Sequence, residues 1–156
     1  MLKVDIPSYK SISIKNVVFD YNGTLAVDGV VKDIIKNKLS KIKDKLNIYV
    51  LTADTYGNAK VGLEGLDVNF HIISKENGTT DKVDFIRKLG SNNCIAFGNG
   101  NNDCLMVKEA EIGICVLESE GCSSITLTNS DIVVKNIEDG IDMLLNPRRL
   151  VANLRK

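Results

Sequence analysis

Val17-Val18-Phe19-Asp20-Tyr21-Asn22-Gly23-Thr24-Leu25 is an apolar run that ends abruptly in a carboxylate and then a glycine turn. The β-branched and aromatic residues Val17, Val18 and Phe19 suit a buried strand. Open α/β sheets bind ligands at the carboxyl ends of their strands, and Gly23 lets the backbone turn sharply so that N–H groups face an anion. An aspartate placed there can attack phosphorus and form an aspartyl-phosphate. The plainer alternative is a strand-end Asp in an Asx-type turn before Asn-Gly. Three further stretches argue against it.

A chain of 156 residues fits one domain, 1–156, and is long enough to bury roughly 70% of its unfolded surface without disulfides or a structural metal. Lysine plus arginine and aspartate plus glutamate are 20 each, so no net field recruits nucleic acid or an anionic membrane. A small or locally recognised partner fits better. Cys94, Cys104, Cys115 and Cys122 form no C-x-x-C pair and read as small reduced residues, Cys94 and Cys115 within apolar runs. No basic region followed by an apolar stretch opens the chain, and no apolar run reaches the ~18 residues of a membrane span, so a cytoplasmic location is expected. The glycosylation patterns at Asn22 and Asn77 are then chance matches.

Residues 2–14 alternate weakly around Pro7, as an edge strand or a hairpin arm laid on the core. Residues 14–19 form the central strand. Residues 25–31 are apolar around Asp28-Gly29, which predicts a small hairpin flap overhanging the Asp20 loop. Asp33 is placed to cap a helix through about Leu46, with Ile34, Ile35, Leu39, Ile42 and Leu46 on one face and lysines on a solvated face. Then follow strand 48–51, a helix to Leu66, strand 68–73, helix 80–89, strand 94–97, helix 103–110, strand 112–116, a short helix 123–127, strand 132–134 and helix 137–145. This alternation predicts right-handed crossovers and a three-layer, doubly wound, mostly parallel α/β sheet. The tail carries Leu150, Val151 and Leu154 at helical spacing, as a docked terminal helix in preference to an oligomer contact.

The chemistry sits at strand ends. Thr52 closes the second strand, where a hydroxyl beside N–H groups can hold a phosphoryl oxygen without adding charge. Lys82 stands in the first turn of its predicted helix, unfavourable to the helix dipole, which points to a partner elsewhere. An ammonium pairing Asp20 with a phosphoryl group is one reading and a solvated surface lysine the other; Lys75 competes for the role. Gly98-Asn99-Gly100-Asn101-Asn102-Asp103 ends a strand and opens a helix, but fits neither a dinucleotide fingerprint nor a nucleotide P-loop. Its amide and carboxylate oxygens suit hard Mg²⁺, although a turn with Asp103 as helix cap would look the same. His71, the one histidine, falls mid-strand and reads as a core or edge residue.

Together, Asp20-Tyr21-Asn22-Gly23-Thr24-Leu25, the strand ending at Thr52, Lys82 and the Gly98–Asp103 loop resemble, in order and spacing, the four motifs of the haloacid dehalogenase-like hydrolase superfamily. The resemblance covers residues 14–145. Leu51-Thr52-Ala53-Asp54 and residues 96–114 look most like the phosphorylation domain of P-type ATPases without a membrane segment, the group called soluble P-type ATPase-like.

The resemblance implies that Asp20 is the nucleophile, that Thr52 binds the phosphoryl group with Gly23 and Ala53 beside it, and that Lys82 balances charge. It implies Mg²⁺ on Asp20, the backbone oxygen of Asn22, and the Asn99/Asp103 loop. Two departures stand out. Asn22 occupies the position where phosphatases of the family carry an Asp acid/base, and an amide cannot transfer a proton. Asn99 replaces a metal-binding Asp, which removes one negative charge. The gaps from 20 to 52 and from 52 to 82 hold no cap domain, so the site should be open; capless relatives take large substrates or close their sites with a neighbouring subunit, and the balanced charge favours a homo-oligomer over a macromolecular substrate. The expected activity is a Mg²⁺-dependent phosphohydrolase or phosphotransferase for a small phosphorylated metabolite, with slow dephosphorylation. A regulatory module that binds phosphate and Mg²⁺ with little turnover is the alternative, and a dehalogenase a further one.

Overall fold

The two alternating stretches at the start of the chain pair as an antiparallel hairpin, β1 (Leu2–Ile6) with β2 (Lys10–Ile14), in the computed structural model, which describes residues 1–54 and 57–156. Of the two readings of this region the hairpin holds. It is a separate two-stranded sheet whose Leu2, Val4, Ile6, Ile12 and Ile14 are buried while Lys3, Asp5, Ser11 and Ser13 are exposed.

Strands and helices then alternate: β3 (Asn16–Asp20), α1 (Asp33–Ile42), β4 (Asn47–Thr52), α2 (Asn58–Gly62), β5 (Asn69–Ile72), α3 (Gly78–Leu89), β6 (Cys94–Gly98), α4 (Cys104–Glu109), β7 (Ile112–Val116), α5 (Ser124–Asn129), β8 (Ile132–Val134), α6 (Ile137–Leu145) and α7 (Arg148–Leu154). Strands β3 to β8 form one sheet in the order β5-β4-β3-β6-β7-β8, every pair parallel. The chain adopts the expected doubly wound three-layer architecture. It builds outward from β3 to β5, returns to β6, and builds outward the other way, so the order reverses between β3 and β6. Crevices at such a reversal are where open α/β sheets bind ligands.

Every residue of β3, β6 and β7 is buried, which is why these strands read as unbroken apolar runs. The two-residue side-chain period divides them between two cores. Val17 and Phe19 pack with α1, α6, α7 and the hairpin; Val18 packs on the other face with Phe85 and Ile86 of α3 and Met106 of α4. Phe19 and Phe97 stack across β3 and β6 with ring centroids 4.8 Å apart, and truncating either to Ala should cost about 3–5 kcal/mol.

Several boundaries differ from expectation. Helix α1 stops at Ile42, and Asp33 is its first residue rather than its cap; Lys32 holds the cap position without a side-chain bond. Asp33 instead favours the helix by its charge near the positive end of the dipole. Leu46 is still buried, in the turn that leads into β4. Helix α2 ends at Gly62, short of Leu66, and α3 begins at Gly78, which moves Lys82 from the first turn into the second. The flap is one tight turn, Val27 and Val30 exchanging backbone hydrogen bonds around Asp28 (φ 51°) and Gly29 (φ 77°). Helix α7 docks on its own chain, burying Leu150 and packing Val151 and Leu154 against the first core. His71 is on edge strand β5, stacked on Phe85 at 4.4 Å. Among the described residues, neither stretch between the motifs holds an inserted domain, and no helix is long and apolar enough to cross a membrane.

Candidate active site

Strand register assembles the site. Asp20 pairs with Leu51 and Phe19 with Phe97, so Asp20, Thr52 and Gly98 emerge at the same end of three adjacent central strands, β4, β3 and β6. The crossover helix α3 brings the fourth component. Its Lys82, wholly buried, donates from Nζ to Asp20 Oδ1 at 2.6 Å and to Asp103 Oδ1 at 2.5 Å. The surface reading of Lys82 is thereby excluded. Lys75 is exposed and lines the neighbouring cleft instead.

Asp103 closes a single 3₁₀ turn, Asn101–Asp103, and is also wholly buried. Its Oδ2 accepts from the N–H groups of Asn99 (3.0 Å) and Gly100 (2.9 Å). This close approach needs Gly98, because a Cβ there would stand 2.5 Å from that of Asp103. With Oδ1 on Lys82 and Oδ2 on two amides, Asp103 braces the loop and anchors the lysine.

Thr52 is 2% exposed, and its Oγ1 accepts from the Asp54 N–H at 3.0 Å. Asn99 interlocks the first and last loops: Oδ1 accepts from Thr24 Oγ1 (3.3 Å), and Nδ2 donates to the carbonyl of Gly121 (3.0 Å). Gly23 makes room for it with φ 79°; a Cβ there would lie 2.4 Å from Asn99 Nδ2.

The segment between β7 and α5 was not anticipated as part of the site. Ser123 N–H donates to the Asn99 carbonyl (2.8 Å), Thr126 Oγ1 to the Gly100 carbonyl (2.6 Å), and Glu120 Oε1 accepts from Asp28 N–H in the flap (2.8 Å). The only hint in the sequence is a polar, glycine-containing stretch directly after an apolar strand, the same pattern that flagged the Gly98 loop.

Burial, then the like charge of Asp103, push Asp20 up to about 7; Lys82 offsets only part of this. Burial alone would lower Lys82, yet the carboxylates of Asp20 and Asp103 hold it above the ordinary lysine value. One buried ammonium between two carboxylates leaves a formal negative charge when both acids are ionised. A cation arriving at the open side of Asp20 would neutralise it.

The residues that follow Asp20 and Thr52 in the chain, Tyr21, Asn22, Ala53 and Asp54, line a cleft of about 300 Å³ with Gly29, Asn58 and Lys75. Asn22 is exposed at its wall. Oxygen donors suited to a hard divalent ion are present at Asp20, the Asn22 backbone, Asn99 and Asp103. Among the described residues no cluster of three His, Cys, Asp or Glu side chains forms. A divalent ion at Asp20 would therefore rest on few charges and draw on amide and main-chain oxygens.

Comparison with known proteins agrees with this geometry. A family model described as haloacid dehalogenase-like hydrolase matches residues 30–145. The chain is 57% identical over 61 residues to the uncharacterized protein MJ0073 of Methanocaldococcus jannaschii, spanning 39% of this chain and 66% of that one. It is 26% identical over 143 residues to cation-transporting ATPase 5 of Schizosaccharomyces pombe, spanning 91% of this chain but 11% of the ATPase. In fold it is similar to a 3-deoxy-D-manno-octulosonate 8-phosphate phosphatase from Moraxella catarrhalis, with a TM-score of 0.71, 20% identity, and 91% of this chain and 94% of that one covered. The match over residues 30–145, most of the chain, shows that it belongs to the haloacid dehalogenase-like hydrolases.

Proposed function

We propose that the chain is a Mg²⁺-dependent phosphohydrolase or phosphotransferase acting on a small phosphorylated metabolite through an aspartyl-phosphate on Asp20. The observation that carries this reading is the buried Lys82 bridging Asp20 and Asp103 at the carboxyl end of the sheet. The ammonium reduces the repulsion between a carboxylate nucleophile and an anionic phosphoryl group, and it fixes the nucleophile's orientation. In the step proposed, an Asp20 carboxylate oxygen bonds to phosphorus while the leaving-group oxygen departs with the bonding pair. Thr52 donates to a phosphoryl oxygen, with the backbone of Ala53 beside it; the expected Gly23 N–H is already bonded to the Ala26 carbonyl at 2.7 Å, which closes the turn instead.

Asp20, the Asn22 backbone oxygen and one side chain of the Asn99/Asp103 loop would hold Mg²⁺, which would supply charge neutralisation of the phosphoryl group. Asp103 is wholly buried and already bonded through both oxygens, which favours Asn99 as the side chain of that loop that reaches the ion. The magnesium and phosphate ions in the Moraxella phosphatase complex support a divalent ion beside a phosphoryl group in this fold. Asn22 supplies no proton transfer, so hydrolysis of the phosphoenzyme should be slow.

Incubation with acetyl phosphate and Mg²⁺, followed by intact-mass measurement, should show a phosphoryl adduct that Asp20→Asn abolishes. Tight binding of a phosphate analogue with neither adduct nor turnover would instead establish a regulatory binding module, the reading that Asn22 favours. Halide release without Mg²⁺ would establish a dehalogenase. The proposal extends to assembly: a second copy covers the open mouth near the flap, since the apolar stripe of α7 faces its own core. Light scattering that gives a monomer at high concentration would remove the assembly.

A further inference from the structure

Beside the catalytic cleft lies a second depression of about 390 Å³, lined by Gly29, Val30, Val31, Lys36, Asn58, Val61 and Gly62. The two share Gly29 and Asn58, so they form one continuous groove between the flap and α2. The inner end, at Asn22, Ala53, Asp54 and Lys75, is mostly polar, and there Asn22 stands two residues after Asp20 and Ala53 directly follows Thr52. The outer end is different. Val30 and Val61 are 66% and 72% exposed, unusually bare for valines, and the nearby cation is Lys36. Lys36 has one ion-pair partner, Asp33, at a long 3.9 Å, and that carboxylate is itself almost fully exposed.

An orphaned polar atom lies behind this wall. The Tyr21 hydroxyl is buried and has no hydrogen-bond partner among the described residues. It points to where the Cβ of a residue at 62 would be, near Val31, so it stands directly behind two residues of the outer groove. Leaving a buried hydroxyl unpaired costs free energy that a polar ligand atom or an ordered water would recover.

From the continuity of the groove with the phosphoryl site, its bare valines and its terminal lysine, we infer that it is the leaving-group subsite. Its ligand class is a phosphate compound whose leaving group carries a short apolar stretch ending in a second anion, a carboxylate or phosphate, that reaches Lys36. This inference rests on the proposed phosphoryl chemistry at Asp20. The phosphoryl group occupies the inner end, the apolar stretch covers Val30 and Val61, and the terminal anion pairs with Lys36 in place of its distant bond to Asp33. A capless relative thereby selects its substrate with the flap and α2.

The test compares two phosphonates that cannot be turned over, phenylphosphonate and phenylphosphonate carrying a carboxypropyl chain, titrated in the presence of Mg²⁺. The chain-bearing ligand should bind about tenfold more tightly, the step expected for one well-placed charge-assisted contact plus apolar burial. In Lys36→Glu the ratio should collapse to about one or invert, and Val61→Asp should remove most of it. Lys41→Glu, the same charge change on an exposed lysine of the same helix, should retain it. Equal affinity of the native protein for the two ligands, a ratio that survives Lys36→Glu, or no binding of either would overturn the inference. A ratio that shrinks as protein concentration rises would overturn it in favour of a second copy seated in the groove. The phosphoryl reading is judged separately, by the acetyl phosphate adduct, which needs no leaving-group contact.

Discussion

Lys82 Nζ and Asp103 Oδ1 are 2.5 Å apart, and both side chains are wholly buried. A buried ion pair is weak evidence for stability, but removing one partner strands the other. Here one ammonium serves two carboxylates, so removing it strands two. Lys82→Met should therefore cost about 3–5 kcal/mol at pH 8. Chemical unfolding at pH 8 and at pH 5.5 checks this: the loss should be smaller at the lower pH, where Asp20 takes up a proton.

Asp20→Asn should stabilise the fold above neutrality. In the folded protein Asp20 is pushed up to about 7, above its ordinary value of 3.8. Between these values the folded chain holds a proton that the unfolded chain has released, so stability falls as pH rises through this window and is lowest above about 7. Three units at about 1.36 kcal/mol each set a ceiling of about 4 kcal/mol. The attraction of Lys82 is already contained in that raised value, so the expected outcome is a rise in Tm at pH 8 that stays below this ceiling, with no gain near pH 4.

Asn22→Asp should convert slow turnover into faster turnover. Asn22 is exposed in the cleft beside Asp20, so a carboxyl there faces both leaving group and incoming water. Positioned acid/base groups contribute roughly 10² to 10⁴-fold. The decay rate of the phosphoenzyme and the turnover of alkyl phosphates should both rise. Turnover of acyl phosphates, whose leaving group departs without a proton, should change in the decay step alone.

Asn99→Asp should do two opposing things. The amide donates to the Gly121 carbonyl at 3.0 Å, and a carboxylate in that place turns an attraction into a repulsion. The protein without metal should lose about 1–3 kcal/mol. The added charge should tighten Mg²⁺ binding in the same variant. Melting with and without Mg²⁺ therefore should show a lower starting Tm and a larger Mg²⁺-induced rise than in the native chain.

The elements with a strong local signal were legible to the residue. Strands β7 and β8 and helix α6 have the predicted bounds, because Ile112-Gly113-Ile114-Cys115-Val116 is apolar throughout and Ile137, Ile141 and Leu144 recur at helical spacing. The ends of α1 and α2 were not, since Leu46 and Leu66 continue an apolar pattern after the backbone has left the helix. Asp20, Thr52 and the Gly98 loop were legible as strand ends. The tie from Asn99 to Gly121, and from Glu120 to the flap, were not: they join loops 22 and 92 residues apart, and no periodicity encodes a contact of that kind.

Lys82 reaches Asp20 across 62 residues and Asp103 across 21, and the two acids belong to opposite wings of the sheet, β3-β4-β5 and β6-β7-β8. Neither set of strands can neutralise its own buried carboxylate without α3, the crossover between them. A half-assembled chain, with one wing formed and the other open, would carry an uncompensated charge in an apolar interior, so such states are disfavoured. The ammonium thus enforces cooperativity. Far-ultraviolet circular dichroism and tyrosine fluorescence should follow one coincident unfolding transition, and in Lys82→Met the two signals should part, the wings melting one after the other.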